Sequence, residues 1–203
     1  MIIQLNDDYP SPYRIQRLAK LLEDGGVIAI PTDTCYALAC LPHKKSAVDQ
    51  MVKLRKLDPK KPRALVFSSI QQISIYTLLS DVSFRILKRF LPGPYCFILE
   101  SNRKLPRFIG DKRQHIGVRM PNHAVVLSLL EELNTPLTVT SAIDPETDEL
   151  LYDPWTIESI FGHGLVAVID SNGVPGEVSS VIKLIDDEYE VIREGLGDTS
   201  AFV

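Results

Sequence analysis

The residues best suited to chemistry in this chain are cations gathered at one turn and hydroxyls placed where strands end. Residues 51–67 hold six cationic side chains, Lys53, Arg55, Lys56, Lys60, Lys61 and Arg63, against one acid, Asp58. The stretch reads as a helix end, a turn built on Pro59 and Pro62, and an apolar strand over 64–67. Helix–turn–strand junctions are where α/β folds mount ligand-binding groups. A cation cluster there suits phosphates, because arginine offers a planar fork of donors and lysine a mobile point charge. Taken alone, such a charge run is more often a solvated surface turn.

The other polar residues stand at expected strand ends. Pro31-Thr-Asp-Thr-Cys-Tyr36 brings Thr32, Thr34 and Tyr36 into one turn with Asp33. A capped turn, with Thr32 or Asp33 satisfying free backbone donors, is the alternative there. Arg119 ends a strand just before Pro121, and Thr138, Thr140 and Ser141 put three hydroxyls after Pro136. Ser179, Ser180 and Arg193 complete the set. The familiar phosphate cradles are absent, since neither Gly-x-x-x-x-Gly-Lys-Ser/Thr nor Gly-x-Gly-x-x-Gly occurs. His43, His115, His123 and His163 show no metal-ligand spacing, and no serine or cysteine sits in a nucleophile elbow. Cys35, Cys40 and Cys96 read as reduced thiols, neither a disulfide frame nor a zinc site. No catalytic residue and no metal ligand is assigned.

These groups need a scaffold of alternating helices and strands. Helices are expected over 11–23, 45–56, from Ser80 or Asp81 through 91 and over 123–133 from apolar residues at helical spacing, from Ser68-Ser69, as a cap, through 79, and over 154–161. Strands are expected over 27–30, 64–67, 95–100, 116–119, 137–141 and 166–170, with a closing antiparallel pair over 179–184 and 190–193. The irregular alternation predicts an α/β fold with a mixed sheet flanked by helices. At 203 residues, 45% hydrophobic and 24% charged, the chain is expected to be one soluble domain. No apolar run is long enough for a membrane helix and no secretory signal opens the chain, so the cytoplasm is expected. The net charge of −4 hides a division: residues 44–119 carry 17 basic and 5 acidic residues, a balance of +12, whereas 143–203 carry 2 and 14, a balance of −12. One face for an anionic partner is the physical implication.

Taken in order, Pro31-Thr-Asp-Thr-Cys-Tyr36, Lys53-Leu-Arg55, Pro92-Gly-Pro94, Val118-Arg-Met-Pro-Asn-His123, Ser141, Val178-Ser-Ser-Val-Ile182 and Arg193-Glu-Gly195 resemble the successive motifs of the YrdC/YciO family. The resemblance spans roughly residues 12 to 198. It implies a twisted, open α/β sheet with a large, concave, positively charged groove. It also implies synthesis of threonylcarbamoyl-AMP and pyrophosphate from threonine (or another small amino acid), bicarbonate and ATP. Mg²⁺ would accompany the ATP, and the product would feed threonylcarbamoyladenosine formation in tRNA. On this resemblance Lys53 and Arg55 neutralise phosphates, while Ser141, Ser179 and Ser180 donate to phosphate or nucleoside oxygens. Thr32, Thr34 and Tyr36 wall the small substrate or nucleotide, and Arg119 and Arg193 are the remaining cations.

Three departures resemble the YciO branch of the family. The synthase turn reads Lys-Gly-Arg-Pro, where Arg55-Lys-Leu-Asp58 puts Leu57 in place of the second cation. Val66 replaces a histidine, and Ile143 replaces the asparagine of Ser-Ala-Asn. Taking a buried guanidinium away from its anionic partner costs about 2 to 5 kcal/mol, so reduced or altered activity is expected. The competing expectation is an RNA-binding module, for double-stranded RNA or tRNA, with Lys56, Lys60, Lys61 and Arg63 on the phosphate backbone.

Overall fold

A computed structural model describes residues 1–58, 63–102, 115–171 and 173–202. Among the described residues ten strands form one sheet in the order β1-β8-β2-β3-β7-β4-β6-β5-β9-β10. They are β1 (Ile2–Gln4), β2 (Ile28–Ile30), β3 (Ala37–Cys40), β4 (Ala64–Val66), β5 (Tyr95–Glu100), β6 (His115–Arg119), β7 (Leu137–Ser141), β8 (Ala167–Asp170), β9 (Ser180–Ile185) and β10 (Glu188–Arg193). Four neighbouring pairs are parallel and five antiparallel, so the sheet is mixed as expected. Among the described residues six α-helices flank it: α1 (Pro12–Glu23), α2 (Lys45–Leu54), α3 (Ile70–Tyr76), α4 (Asp81–Phe90), α5 (Ala124–Leu133) and α6 (Pro154–Phe161).

Alternation along the central strands divides the core in two. Val27, Ala29, Leu38, Cys40 and Leu65 face one cluster, with Met51 of α2, Ile73 of α3, Leu87 of α4 and Phe161 of α6. Ile28, Ile30, Ala37, Ala39 and Val66 face the other, with Leu18 and Leu22 of α1 and Leu129 and Leu130 of α5. Both faces are covered, which is why β2 and β3 are buried at every position.

Local chemistry sets the element ends. Pro12 occupies the first turn of α1, where its missing N–H costs nothing. Ser80 and Ser83 form a reciprocal capping box at α4. The α2 end matters most for function. The Leu57 N–H donates to Val52 O at 3.0 Å and the Lys56 N–H to Lys53 O at 3.2 Å. With Lys56 at φ 48°, this is a Schellman end. The left-handed position is one that glycine occupies without strain, and Leu57 stands where such an end favours an apolar residue.

Candidate functional site

The candidate residues gather into three nodes joined by the loop between β2 and β3. In the first, Arg119 at the end of β6 donates through Nη2 to Asp33 Oδ1 at 2.8 Å and to Thr34 Oγ1 at 3.0 Å. The pair is nearly dry, with side-chain exposures of 7% and 11%. The second Asp33 oxygen accepts from the Asn122 N–H at 3.0 Å. Arg119 Nε is buried without a hydrogen-bond partner among the described residues, and both bonds above use Nη2, so Nη1 is the donor left for a ligand. Thr32 Oγ1 donates to Cys35 O at 2.6 Å and accepts the N–H groups of Thr34 and Cys35 at 3.2 Å each. The hydroxyl of Thr32 therefore shapes the turn, and Thr34 hands its own to Arg119.

The second node is the α2 end. Arg55, 8% exposed, donates through Nε to Ser141 O at 2.9 Å. Among the described residues this is the one hydrogen bond it makes, which leaves its terminal nitrogens as donors. Burial pulls the Arg55 pKa down, while Asp148 and Asp144 push it back up. Both carboxylates are thus within electrostatic reach. Ser141 contributes its carbonyl here. Lys53 is exposed, and Lys56 pairs with Glu146 across the turn.

The third node joins β9 to the chain after β10. Arg193 grips Ser179 O through Nε at 3.1 Å and Nη2 at 2.8 Å, and reaches Ser179 Oγ at 3.3 Å. Ser180 Oγ donates to Gly197 O at 2.6 Å and accepts the Gly195 N–H at 2.9 Å, so it is spent on holding two strands of chain together. A Cβ on Gly195 would meet Val178 O at 2.4 Å, so this close approach requires glycine.

Backbone contacts tie the nodes together. The Gly176 N–H donates to Thr34 O at 2.9 Å, linking the first node to the approach of β9. The Ala142 N–H donates to Tyr36 O at 2.8 Å, linking the same loop to the Arg55–Ser141 node. Burial pushes the Cys96 thiol up in pKa, while the charges of Arg119 and Arg193 both pull it down.

Tyr36 is fully buried beneath the loop, and burial, with Asp170 next, raises its pKa. Its ring is core to the fold. Arg63 is 7% exposed, and burial lowers its pKa. Lys60 and Lys61 lie outside the described residues. Asp33, Asn122 and the acids over 144–149 were not among the expected site residues. Asp33 was legible as the lone carboxylate between two threonines, but nothing in the sequence signals that residues 144–149 meet residues 55–56. Among the described residues, no group of three or more His, Cys, Asp or Glu converges to hold a metal. No helix among them is long and apolar enough to cross a membrane.

The family model for Sua5, YciO and YrdC proteins, described as "Telomere recombination", matches residues 20–195. The uncharacterized protein YciO of Escherichia coli (strain K12) is 32% identical over 200 residues, 98% of this chain and 97% of that protein. The threonylcarbamoyl-AMP synthase of Vibrio vulnificus (strain YJ016) is 30% identical over 131 residues, 63% of this chain and 70% of the synthase. The crystal structure of E. coli YciO superposes with a TM-score of 0.94 at 31% identity, over 100% of this chain and 99% of that one. P. abyssi Sua5, complexed with L-threonine, has the same fold with a TM-score of 0.88 at 24% identity, over 96% of this chain and 57% of the Sua5 chain. Motif order, sheet and full-length likeness agree, and the chain belongs to the Sua5/YciO/YrdC family.

Proposed function

We propose that the protein makes an aminoacyl-carbamoyl adenylate of the threonylcarbamoyl-AMP type. The amine of threonine, or of another small amino acid, takes up bicarbonate with loss of water to give a carbamate. A carbamate oxygen attacks the α-phosphorus of ATP, the bond to the bridging α–β oxygen breaks, and pyrophosphate leaves. The observation that carries this reading is the trio of guanidiniums at Arg55, Arg119 and Arg193, each fixed by a short bond to a carbonyl, carboxylate or hydroxyl around one loop. Relatives named threonylcarbamoyl-AMP synthase support it. Pre-positioned cations act on the charge that builds as pyrophosphate departs, without reorganising at that moment. Magnesium, on this reading, enters on the triphosphate as part of the substrate. Arg55 and Lys53 receive phosphates, Arg119 Nη1 donates to an anionic oxygen of the amino acid or carbamate, and Ser179 Oγ is the hydroxyl placed to donate. The product is of the kind consumed in tRNA threonylcarbamoyladenosine formation.

Incubation with ATP, labelled bicarbonate and threonine is expected to yield a labelled adenylate. No product above blank at high enzyme concentration, with other amino acids also tried, overturns the reading. A product formed only with another amino acid keeps the reaction and changes the substrate. If Leu57 and Ile143 are what limit the rate, Leu57→Arg and Ile143→Asn raise it.

A second reading, a double-stranded RNA or tRNA binder with little synthase activity, rests on the +12 balance over residues 44–119. RNA binding with a steep salt slope and no ATP binding on the same preparation would favour it. ATP binding without RNA affinity would remove it.

A further inference from the structure

The basic turn at the end of α2 has an acidic neighbour. Residues 144–149, Asp-Pro-Glu-Thr-Asp-Glu, carry four carboxylates in six positions and fold back onto it. The fold-back is a closed structure. Ile143 bridges Leu150, the Asp144 N–H donates to Glu149 O at 2.8 Å, and the Asp148 N–H donates to Asp144 O at 3.0 Å. Asp144 Oδ1 accepts the Glu146 N–H at 2.8 Å, and Asp148 turns the chain with φ 60°. One of its acids meets a cation directly, Glu146 Oε1 accepting from Lys56 Nζ, and the charges of Asp148 and Asp144 act on Arg55. The loop grows out of β7 immediately after Ser141, whose carbonyl holds Arg55. One junction therefore fixes a guanidinium and begins the acidic loop.

We propose that residues 144–149 are a built-in anion that competes with phosphate ligands for Arg55 and Lys56, and that Glu146 and Asp148 set how strongly this turn takes up anions. The inference rests on reading the Arg55 turn as a phosphate site. Phosphates arriving there must displace Lys56 from Glu146 and accept the field of Asp148, so the loop lowers anion affinity for every ligand that reaches the turn. The contact is also exposed, with side-chain exposures of 61% for Lys56 and 73% for Glu146. An exposed ion pair is weak enough to be exchanged for a ligand. The internal competition is therefore reversible and screened by salt.

The test is binding of inorganic tripolyphosphate and of ATP, by calorimetry at low and high salt, to the parent, Glu146→Gln, Asp148→Asn and the double variant. Asparagine tolerates the left-handed backbone of position 148, and residue 146 is exposed, so folding is retained. Asp186→Asn, a charge removed from the β9–β10 turn, controls for net charge. The expected result is a gain of roughly two- to fivefold in anion affinity per charge removed. That gain shrinks at high salt and is absent in Asp186→Asn. Unchanged or weaker binding in Glu146→Gln and Asp148→Asn overturns the inference. So does an equal gain in Asp186→Asn, or no anion binding in any of the proteins. Tighter anion binding with no adenylate made from any amino acid would sink the synthase reading and leave this one standing.

Discussion

Arg119 is the residue whose environment is most completely arranged. Its Nη2 is shared between Asp33 and Thr34, while its Nε is buried without a partner among the described residues. Removing the carboxylate would leave a buried charge uncompensated, a change that costs about 3 to 5 kcal/mol. Asp33→Ala is therefore expected to lose roughly 3 kcal/mol or more in urea unfolding. Asp33→Asn should lose less, because its amide oxygen can still accept. A loss under about 1 kcal/mol for the alanine variant would mean the pair is effectively solvated. His123, at the N-terminal boundary of α5, gives a pH prediction. Its ring lies beside Asp7 and Ser171, and burial lowers its pKa from the ordinary 6.5, with Asp7 and then Asp33 opposing. The folded pKa is below the unfolded one, so the unfolded chain binds the extra proton first. Stability from this group is complete above about pH 6.5 and is lost as pH falls below it through the lower folded value. Unfolding free energy measured from pH 7.5 to 5.5 should decline, and His123→Gln should flatten the decline.

At the scale of the element, the α2 end is decided by backbone conformation. Lys56 adopts φ 48° at the position where the synthase turn pattern has glycine. An L-residue there is strained by about 1 kcal/mol, and the exposed Glu146 pair returns less than that. Lys56→Gly is expected to raise stability by up to about 1 kcal/mol in urea unfolding, and lower stability would show that the Glu146 pair is worth more than its exposure suggests. The same turn shows what a sequence displays and what it hides. The helices α1, α2, α4 and α5 were legible because their apolar residues recur at helical spacing, and Ser80, Pro12 and Pro154 mark the starts of α4, α1 and α6. Strands β1 and β3 were not. Ile2–Gln4 is three residues at an edge, and Ala37–Cys40 is alanine-rich and buried on both faces, so it shows neither alternation nor β-branched side chains. The motif order disclosed the cations. It could not disclose their partners, because the Arg55–Ser141 and Arg119–Asp33 bonds span 86 residues each and depend on register rather than local spacing.

For the whole molecule, strand order governs. Among the described residues, strand β1 pairs only with β8, and β5 has β9 as its outer neighbour, so the two ends of the sheet are completed by the last third of the chain. A chain ending after Phe161 lacks β8, β9 and β10, and is expected to show no protease-resistant sheet under conditions where the full chain is resistant. A resistant fragment holding β1 to β7 would show that the two halves close independently. The division of charge follows the same partition, with the acidic residues concentrated in the segment that closes the sheet.

The strand order also bears on synthesis. On the ribosome, the β2–β3 hairpin emerges early, with every strand residue destined for burial. Its two flanking neighbours, β7 and β8, come from residues 137–141 and 167–170. At roughly 5–20 residues per second, the interval is on the order of ten seconds. During it, an apolar hairpin with two bare edges is available to any other nascent chain nearby. Translation rate and chaperone capture during that interval, more than the stability of the finished fold, then govern how much soluble protein a cell recovers.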